Sequence, residues 1–383
     1  MRPLDGGGPA ASKGGMHDRS PPLPRRRLVL GGLLAAGLSA GRAAHAAEGA
    51  GLFAGTYANE GGAGLVPLID GGGHWRAGSA DAAIRNVSFG VTRPGGRLRY
   101  LLDERAEGGL GVYDARFRRL AGLSTGGADP CHAALAPDGR ALAVANYSSG
   151  SVALWSLDRG SGMPRGAAQI VAHTGRGPNV ERQAGPHAHW VGFTNDGAIL
   201  HSVDLGADAV FAHHRDARTG RIARTSIAYR APAGSGPRHL ARHPRLPVAY
   251  LVTELANTVT ILDAGPDGEF VERAVLSTLP ADFHGTSYGA HIALNPTVTR
   301  LYVSNRGHDS IAVYAVAPDG GLRLLQHAGC GGHWPRFFRL RGRDMLVANQ
   351  RAGTITQLPL RTDGTLGPAT VALRLPGVVF IGE

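Results

Sequence analysis

The sequence predicts an all-β chain folded as a seven-bladed β-propeller. Three observations carry this: a recurring strand phrase, the period at which it recurs, and turn residues spaced at that period. The phrase is a short apolar run ending on a polar residue, and it occurs at residues 52–57, 98–104, 141–146, 199–204, 249–254, 301–305 and 345–349. From Glu104 on, the terminal residues Asn146, Asp204, Glu254, Asn305 and Asn349 follow at intervals of 42, 58, 50, 51 and 44. A four-stranded blade takes about 40–50 residues. Most copies lead at once into a turn-rich segment and a third run with period-2 alternation, as at residues 148–157 and 308–316, the pattern of a half-buried strand. No stretch stands out as an amphipathic helix.

Many units open with one more strand, introduced by a Pro-ended turn, as in Gly185-Pro186-His187-Ala188-His189-Trp190 and Gly236-Pro237-Arg238-His239-Leu240. Aligned on the Pro-Asp-Gly type turn that follows, His132, His189, His239 and His291 fall at one equivalent place in four blades. Val87-Ser88 and Phe337 fall near it in two others. The first strand of a blade lines the central channel, so equivalent positions form a ring. Acids follow about fifteen residues after two of these turns, at Asp204 and Glu254. A strand near residues 378–381 is expected to complete a blade begun by the strand near residues 52–57, burying both chain ends as edges.

Residues 1–46 read as a Tat-type signal peptide and are set apart from fold reasoning. Arg25-Arg26-Arg27 precede an uncharged run at residues 28–40, and Ala44-His45-Ala46 supplies a small-residue cleavage site. Thirteen residues are too few to span a bilayer, which takes about 20. A twin arginine before a weakly apolar, Gly/Ala-rich segment points to export of a folded chain, hence a periplasmic or secreted protein. Residues 47–383 then form one propeller domain, because the Gly/Pro-rich stretches inside them recur at the repeat period and connect blades.

The full chain carries 40 Lys+Arg and 29 Asp+Glu. The leader holds seven basic residues against Asp5 and Asp18, leaving 33 and 27, a net charge of +6. The arginines are spread through every blade without the basic cluster and interleaved aromatics of a nucleic-acid surface, so no nucleic-acid partner is expected. Lys13 is the only lysine, which excludes lysine chemistry from the mature domain. Cys131 and Cys330 are the only cysteines and fit no zinc spacing;. Cys131, beside His132 on a strand, is expected to point away from it as a small buried residue. No Walker loop, dinucleotide fingerprint or calcium loop is present. Glu104, Asp204 and Glu254 are the carboxylates that could converge on a channel cation, but the histidines and arginines ringed beside them weigh against it. No metal and no cofactor are expected.

The phrases Pro130-Cys131-His132, Ala145-Asn146-Tyr147, Gly185-Pro186-His187-Ala188-His189, Gly236-Pro237-Arg238-His239, Glu254-Leu255-Ala256-Asn257, Val303-Ser304-Asn305-Arg306 and Trp334-Pro335-Arg336-Phe337 together carry a resemblance. The chain resembles the seven-bladed propeller lactonases of the bacterial 6-phosphogluconolactonase type, related to carboxy-cis,cis-muconate lactonising enzyme. The resemblance runs from about Phe53 to Ile381. It implies a lactone as small-molecule substrate and a site of one histidine, one glutamate and two arginines. Matched motif by motif, these are His187 or His189, Arg238, Glu254 and Arg306, with His132, His239, His291 and Arg336 beside them for substrate binding. The repeat alignment favours His189 over His187.

Opening a lactone takes a base for the attacking water and a cation for the developing oxyanion. Glu254 or His189 fits the first task, and Arg238 and Arg306 the second. Two other readings compete: an exported propeller that binds a ligand or protein without catalysis, and a muconate-type cycloisomerase.

Overall fold

The structure is a computed structural model and describes residues 51–383 apart from residue 73; the expected leader, 1–46, lies outside the described residues. Among the described residues, 28 strands pair into seven four-stranded antiparallel sheets. The innermost strands are Val378–Gly382 in blade 1, Val87–Thr92 in blade 2, Pro130–Leu135 in blade 3 and Ala188–Phe193 in blade 4. Pro237–Arg242, Tyr288–Leu294 and Pro335–Arg341 complete the set in blades 5 to 7. These seven touch one another in turn around the axis.

The second strands explain why the repeat was visible. Leu98–Asp103, Ala141–Asn146, Ile199–Asp204 and Val248–Thr253 are buried along their whole length. A strand covered on both faces reads as a continuous apolar run. The apolar clusters lie between blades rather than inside them: Tyr100 and Val112 of blade 2 pack with Leu142 and Trp155 of blade 3. Val203 and Val210 of blade 4 pack likewise with Leu251 and Leu262 of blade 5.

One polar contact repeats across these interfaces. The hydroxyls of Tyr100, Tyr250 and Tyr302 donate to the carbonyls of Gly162, Gly320 and Gly364 at 2.6, 2.8 and 2.7 Å. Each acceptor sits in the outer hairpin of the next blade and has positive φ, 78°, 86° and 76°, a conformation glycine adopts without Cβ strain. His201 occupies the same strand place in blade 4, with Nε2 2.6 Å from the Gly268 carbonyl of blade 5.

The ring closes as expected. Phe53, Ala54 and Gly55 of the first strand pair with Gly382, Ile381 and Phe380 of the last. Blade closure is tight here: a Cβ on Gly55 would stand 2.0 Å from the Val87 carbonyl oxygen of blade 2.

Register corrects one alignment. The residues just before the bulges of the inner strands, Val87, Pro130, Ala188, Pro237, Gly289 and Pro335, pair with Asp103, Asn146, Asp204, Thr253, Asn305 and Asn349. Glu104 and Glu254 therefore lie one residue past this place, and Asp204 is the counterpart of Thr253. The intervals between equivalent residues are 43, 58, 49, 52 and 44. Blades 2 and 5 end their second run on two polar residues, Asp103-Glu104 and Thr253-Glu254, which hides the true end.

Ile381 is fully buried at the closure while Ile69, on an outer part of the same blade, is 41% exposed. Ile381→Ala should cost about 2–5 kcal/mol, whereas Ile69→Ala should stay within about 0.5 kcal/mol. Denaturant unfolding of both variants checks the difference.

Candidate active site

Every inner strand carries a β-bulge near its start, between Pro130 and His132, Ala188 and Trp190, Pro237 and His239, Pro335 and Phe337, and at the matching places of blades 1, 2 and 6. A bulge sets two residues against one on the partner strand and re-aims their side chains. Adjacent residues can then both reach the channel, and two layers result.

The lower layer comes from the second bulge residue and is aromatic. Phe89, His132, His239, His291, Phe337 and Phe380 contact in sequence around the axis, with ring centroids 4.1 to 5.5 Å apart. Trp190 of blade 4 packs on His132 at 5.6 Å. Burial holds the imidazoles of His132 and His239 well below the ordinary histidine range, and it lowers His291 to about 3, with Arg238 acting in the same direction on all three. They are neutral, and their tautomers follow. Arg238 Nη1 donates to His239 Nε2 at 3.1 Å, so His239 carries its proton on Nδ1 and donates it to His291 Nδ1 at 3.3 Å;.

The upper layer comes from the first bulge residue, Cys131, His189, Arg238 and Arg336, and from the residue one beyond the pre-bulge pairing place on the second strand, Tyr57, Glu104, Tyr147, Glu254 and Arg306. Glu254 is its centre. Oε2 accepts from Arg238 Nε at 3.0 Å and Arg306 Nη2 at 2.7 Å, and Oε1 accepts from Arg182 Nη2 at 2.6 Å. Arg238 also donates to the Ala290 carbonyl at 2.7 Å and Arg306 to the Gly289 carbonyl at 3.0 Å, which fixes both forks. Burial alone would raise the Glu254 pKa, but Arg306, Arg238, His189 and Arg182 together hold it well below the usual carboxylate range. Burial and the neighbouring Arg306 bring Arg238 down to about 9.

Across the channel stands a second carboxylate with the opposite bias. Arg336 Nη2 donates to the Tyr57 hydroxyl at 3.0 Å, which donates to Glu104 Oε2 at 2.7 Å. Burial raises the Glu104 pKa against the opposing pull of Arg336 and Tyr57. His189 lies between the two clusters along the ring. Its imidazole is held well below the ordinary range by burial first and by Arg238 next, and its Nδ1 faces the Cys131 thiol at 3.7 Å.

The chain matches the family model described as "Lactonase, 7-bladed beta-propeller" over residues 51–382. It belongs to the seven-bladed propeller lactonase family. Among its relatives, the 6-phosphogluconolactonase of Bacillus subtilis (strain 168) is 33% identical over 309 residues, covering 77% of this chain and 87% of the relative. The structure of a periplasmic gluconolactonase from Pseudomonas aeruginosa superposes with a TM-score of 0.79 at 26% identity, covering 87% of this chain and 98% of that one. A putative 6-phosphogluconolactonase from Bacteroides uniformis gives 0.78 at 28% identity, covering 86% and 98%.

For this lactonase-family chain the structure brings Arg238, Glu254 and Arg306 into direct contact, with His189 and Arg336 in the same layer. It places His189 in a different layer from the other three histidines, although its ring meets that of His239 edge-on at 5.3 Å. His189 and Trp190 are the two bulge residues of blade 4, so Trp190 is the counterpart of His132 and His239, and the fourfold histidine alignment was one residue out. His187 sits outside the strand, stacked on Tyr147 at 4.5 Å. Cys131 faces the channel instead of turning away from His132, again because of the bulge. Both cysteines are free.

Asp204 stands apart from Glu254. It accepts from His173 Nδ1 at 2.8 Å and from the His187 and Ala207 amides at 2.7 and 2.8 Å, which pins the turn before His189. Among the described residues no group of three or more His, Cys, Asp or Glu is placed to hold a metal ion. A cavity of about 450 Å³ between blades 6 and 7 is lined by Arg300, Arg341 and Arg361, away from this chemistry. Arg341 is paired with Asp70, and Arg361 with the Thr365 hydroxyl and Leu366 carbonyl.

Three residues of the site are not singled out by the sequence, Tyr57, Tyr147 and Arg182, and Glu104 stands there only as a carboxylate that could face a channel cation. Tyr57, Glu104 and Tyr147 share the place of Glu254; the runs at 52–57 and 98–104 already end on the first two, and only Tyr147 needs a register one residue later. Arg182 lies in the longest interval between repeats, Asn146 to Asp204, and that length was its signal.

Histidines kept neutral by folding take up protons only in the unfolded state as pH falls below the ordinary 6.5. Stability should therefore fall with pH below that point, by about 1.4 kcal/mol per pH unit for each such histidine. His291→Phe removes one of them and should make the fall between pH 6.5 and 4 shallower, measured by denaturant unfolding across that range.

Proposed function

We propose that this protein hydrolyses a sugar lactone, of the 6-phosphogluconolactone kind or, given export, an unphosphorylated aldonolactone. The observation that carries this reading is a neutral imidazole, His189, in one layer with two guanidiniums fixed by a single carboxylate. Water attacks the ester carbonyl while His189 Nε2 takes its proton. The carbonyl oxygen becomes an oxyanion beside Arg238 and Arg306, whose forks are already oriented and need no rearrangement. Collapse breaks the ring C–O bond, and the alkoxide recovers the proton from His189, giving the open hydroxy acid. Glu254 fits the base role poorly, because both its oxygens already accept from guanidinium groups. Its task in this reading is to hold the arginines and to favour the imidazolium as it forms. The names of the relatives, a 6-phosphogluconolactonase and a periplasmic gluconolactonase, support the same chemistry.

In this scheme His189→Gln lowers kcat by about 10²–10⁴ with a near-normal melting temperature. Glu254→Gln leaves buried guanidiniums uncompensated and lowers stability as well as kcat/KM. With His189 held below the ordinary range, kcat/KM stays level from pH 8 down through 6.5 and falls only in more acid solution. A pH-stat assay on a panel of sugar lactones, with spontaneous hydrolysis subtracted, measures all three. Full activity in folded His189→Gln would move the base to Glu254. A panel with no turnover would favour a binding propeller, and lactone formation from an unsaturated acid a cycloisomerase.

Export by the twin-arginine route belongs to the same proposal. Among the described residues no helix is long and apolar enough to cross a membrane. Replacing Arg25 and Arg26 with Lys should leave the precursor in the cytoplasm, because a receptor reads the pair; fractionation and immunoblotting report it, and normal export of the double variant would refute the twin-arginine route.

A further inference from the structure

Four guanidiniums face the channel, and one differs from the rest in origin and exposure. Arg238, Arg306 and Arg336 belong to strands of blades 5, 6 and 7. Arg182 comes from the loop between the last strand of blade 3 and the first of blade 4. Its side chain is 34% exposed, against 3% and 6% for Arg238 and Arg306. The backbone beneath it is nevertheless fixed. Arg182 and Gln183 amides donate to the Asn179 carbonyl at 3.1 and 2.7 Å, and the buried Gln183 side chain donates to the Leu205 carbonyl at 2.9 Å. A rigid turn thus carries a side chain that reaches over the mouth, past the Tyr147 hydroxyl at 3.4 Å, to Oε1 of Glu254.

The three arginines also share Glu254 unequally. Arg238 and Arg306 both hold Oε2, and Arg182 alone holds Oε1. If Arg182 lets go, the carboxylate keeps two buried partners. A part-exposed ion pair contributes little net stability, whereas breaking a buried pair leaves an uncompensated charge and costs far more. Arg182 is therefore the guanidinium that can change partner cheaply. The site as a whole is set for an anion, with four guanidiniums against the carboxylates of Glu254 and Glu104.

We propose that Arg182 is the substrate-recognising guanidinium of this channel: it leaves Oε1 of Glu254 to grip a carboxylate or phosphate on the lactone while Arg238 and Arg306 stay on Oε2. The assignment rests on the lactonase reading and names the substrate class, a lactone bearing an anionic group away from its ester. The planar fork suits either anion in bidentate fashion. Arg182 touches the substrate's fixed charge and not the reacting carbonyl, so it sets KM and specificity more than kcat.

The test compares the wild type with Arg182→Gln and Arg182→Lys on 6-phosphogluconolactone, on a carboxylate-bearing sugar lactone and on neutral glucono-1,5-lactone. Arg182→Gln should raise KM for the two anionic lactones by about 10–100-fold with kcat changed less than about 3-fold, and change KM for the neutral lactone by less than about 3-fold. Arg182→Lys should recover part of the loss, more for the phosphate than for the carboxylate, because it keeps the charge and loses the fork. Equal losses on all three substrates would show that Arg182 only positions Glu254, and unchanged kinetics would show no role; either overturns the proposal. Calorimetric titration with 6-phosphogluconate and with gluconate gives a readout independent of turnover. Wild type should bind the phosphorylated acid more tightly and Arg182→Gln should lose that preference. If no lactone is turned over but this binding preference is present and Arg182-dependent, the lactonase reading fails and the anion assignment stands. Absence of the preference in wild type overturns the assignment whatever the kinetics.

Discussion

The bulge at the head of each inner strand is the constraint from which the site follows. A regular strand would send successive side chains to opposite faces and give the channel one residue per blade. With two residues set against one on the neighbouring strand, His189 and Trp190, Arg238 and His239, and Arg336 and Phe337 all serve the channel as pairs. The first of each pair meets the residue just beyond the second strand, and this is how Arg238 of blade 5 comes to lie against Glu254 of the same blade. The second of each pair goes to the floor. Straightening these strands would dissolve both layers at once.

The two layers are electrically complementary. The floor carries imidazoles that burial keeps neutral, so it adds no charge beneath four guanidiniums. His239 links the layers by accepting from Arg238, and the direction of that bond passes on to His291. In the upper layer one carboxylate is held ionised by three arginines and the other is pushed up by burial beside a tyrosine. Two like residues with pKa values moved apart are the pattern by which acid and base tasks are separated in one site. Here the separation follows from how many guanidiniums each blade places within reach.

The fold was legible because buried second strands print unbroken apolar runs at blade period, and the closure was legible because both terminal runs are of this kind. The polar core of the site was half legible. Arg238 and Glu254 stand out as polar residues directly after turn or apolar signals, Arg306 comes with the family resemblance, and the structure joins the three. The histidines misled, since a bulge shifts register by one residue without leaving a mark in composition, and His189 was thereby grouped with His132, His239 and His291. Tyr147 is hidden by the same one-residue ambiguity at the other strand, whereas Tyr57 and Glu104 end their runs in plain view and only the fold joins them to Arg336. Arg182 belongs to no repeated strand, and only the length of the interval that holds it, the longest between repeats, points to it.

The aromatic floor has a consequence for traffic through the site. Phe89, Phe337 and Phe380 pack against one another and against His132 and His291 beneath the charged layer, so whatever enters over Arg182 leaves by the same mouth. For a lactone opened here, the molecule that leaves carries one more negative charge than the one that came in. It departs past guanidiniums that attract it more strongly than they attracted its precursor. The arrangement that stabilises an oxyanion thus also retains the carboxylate that follows from it, and the exposed side chain at the rim is the part of the cage able to yield.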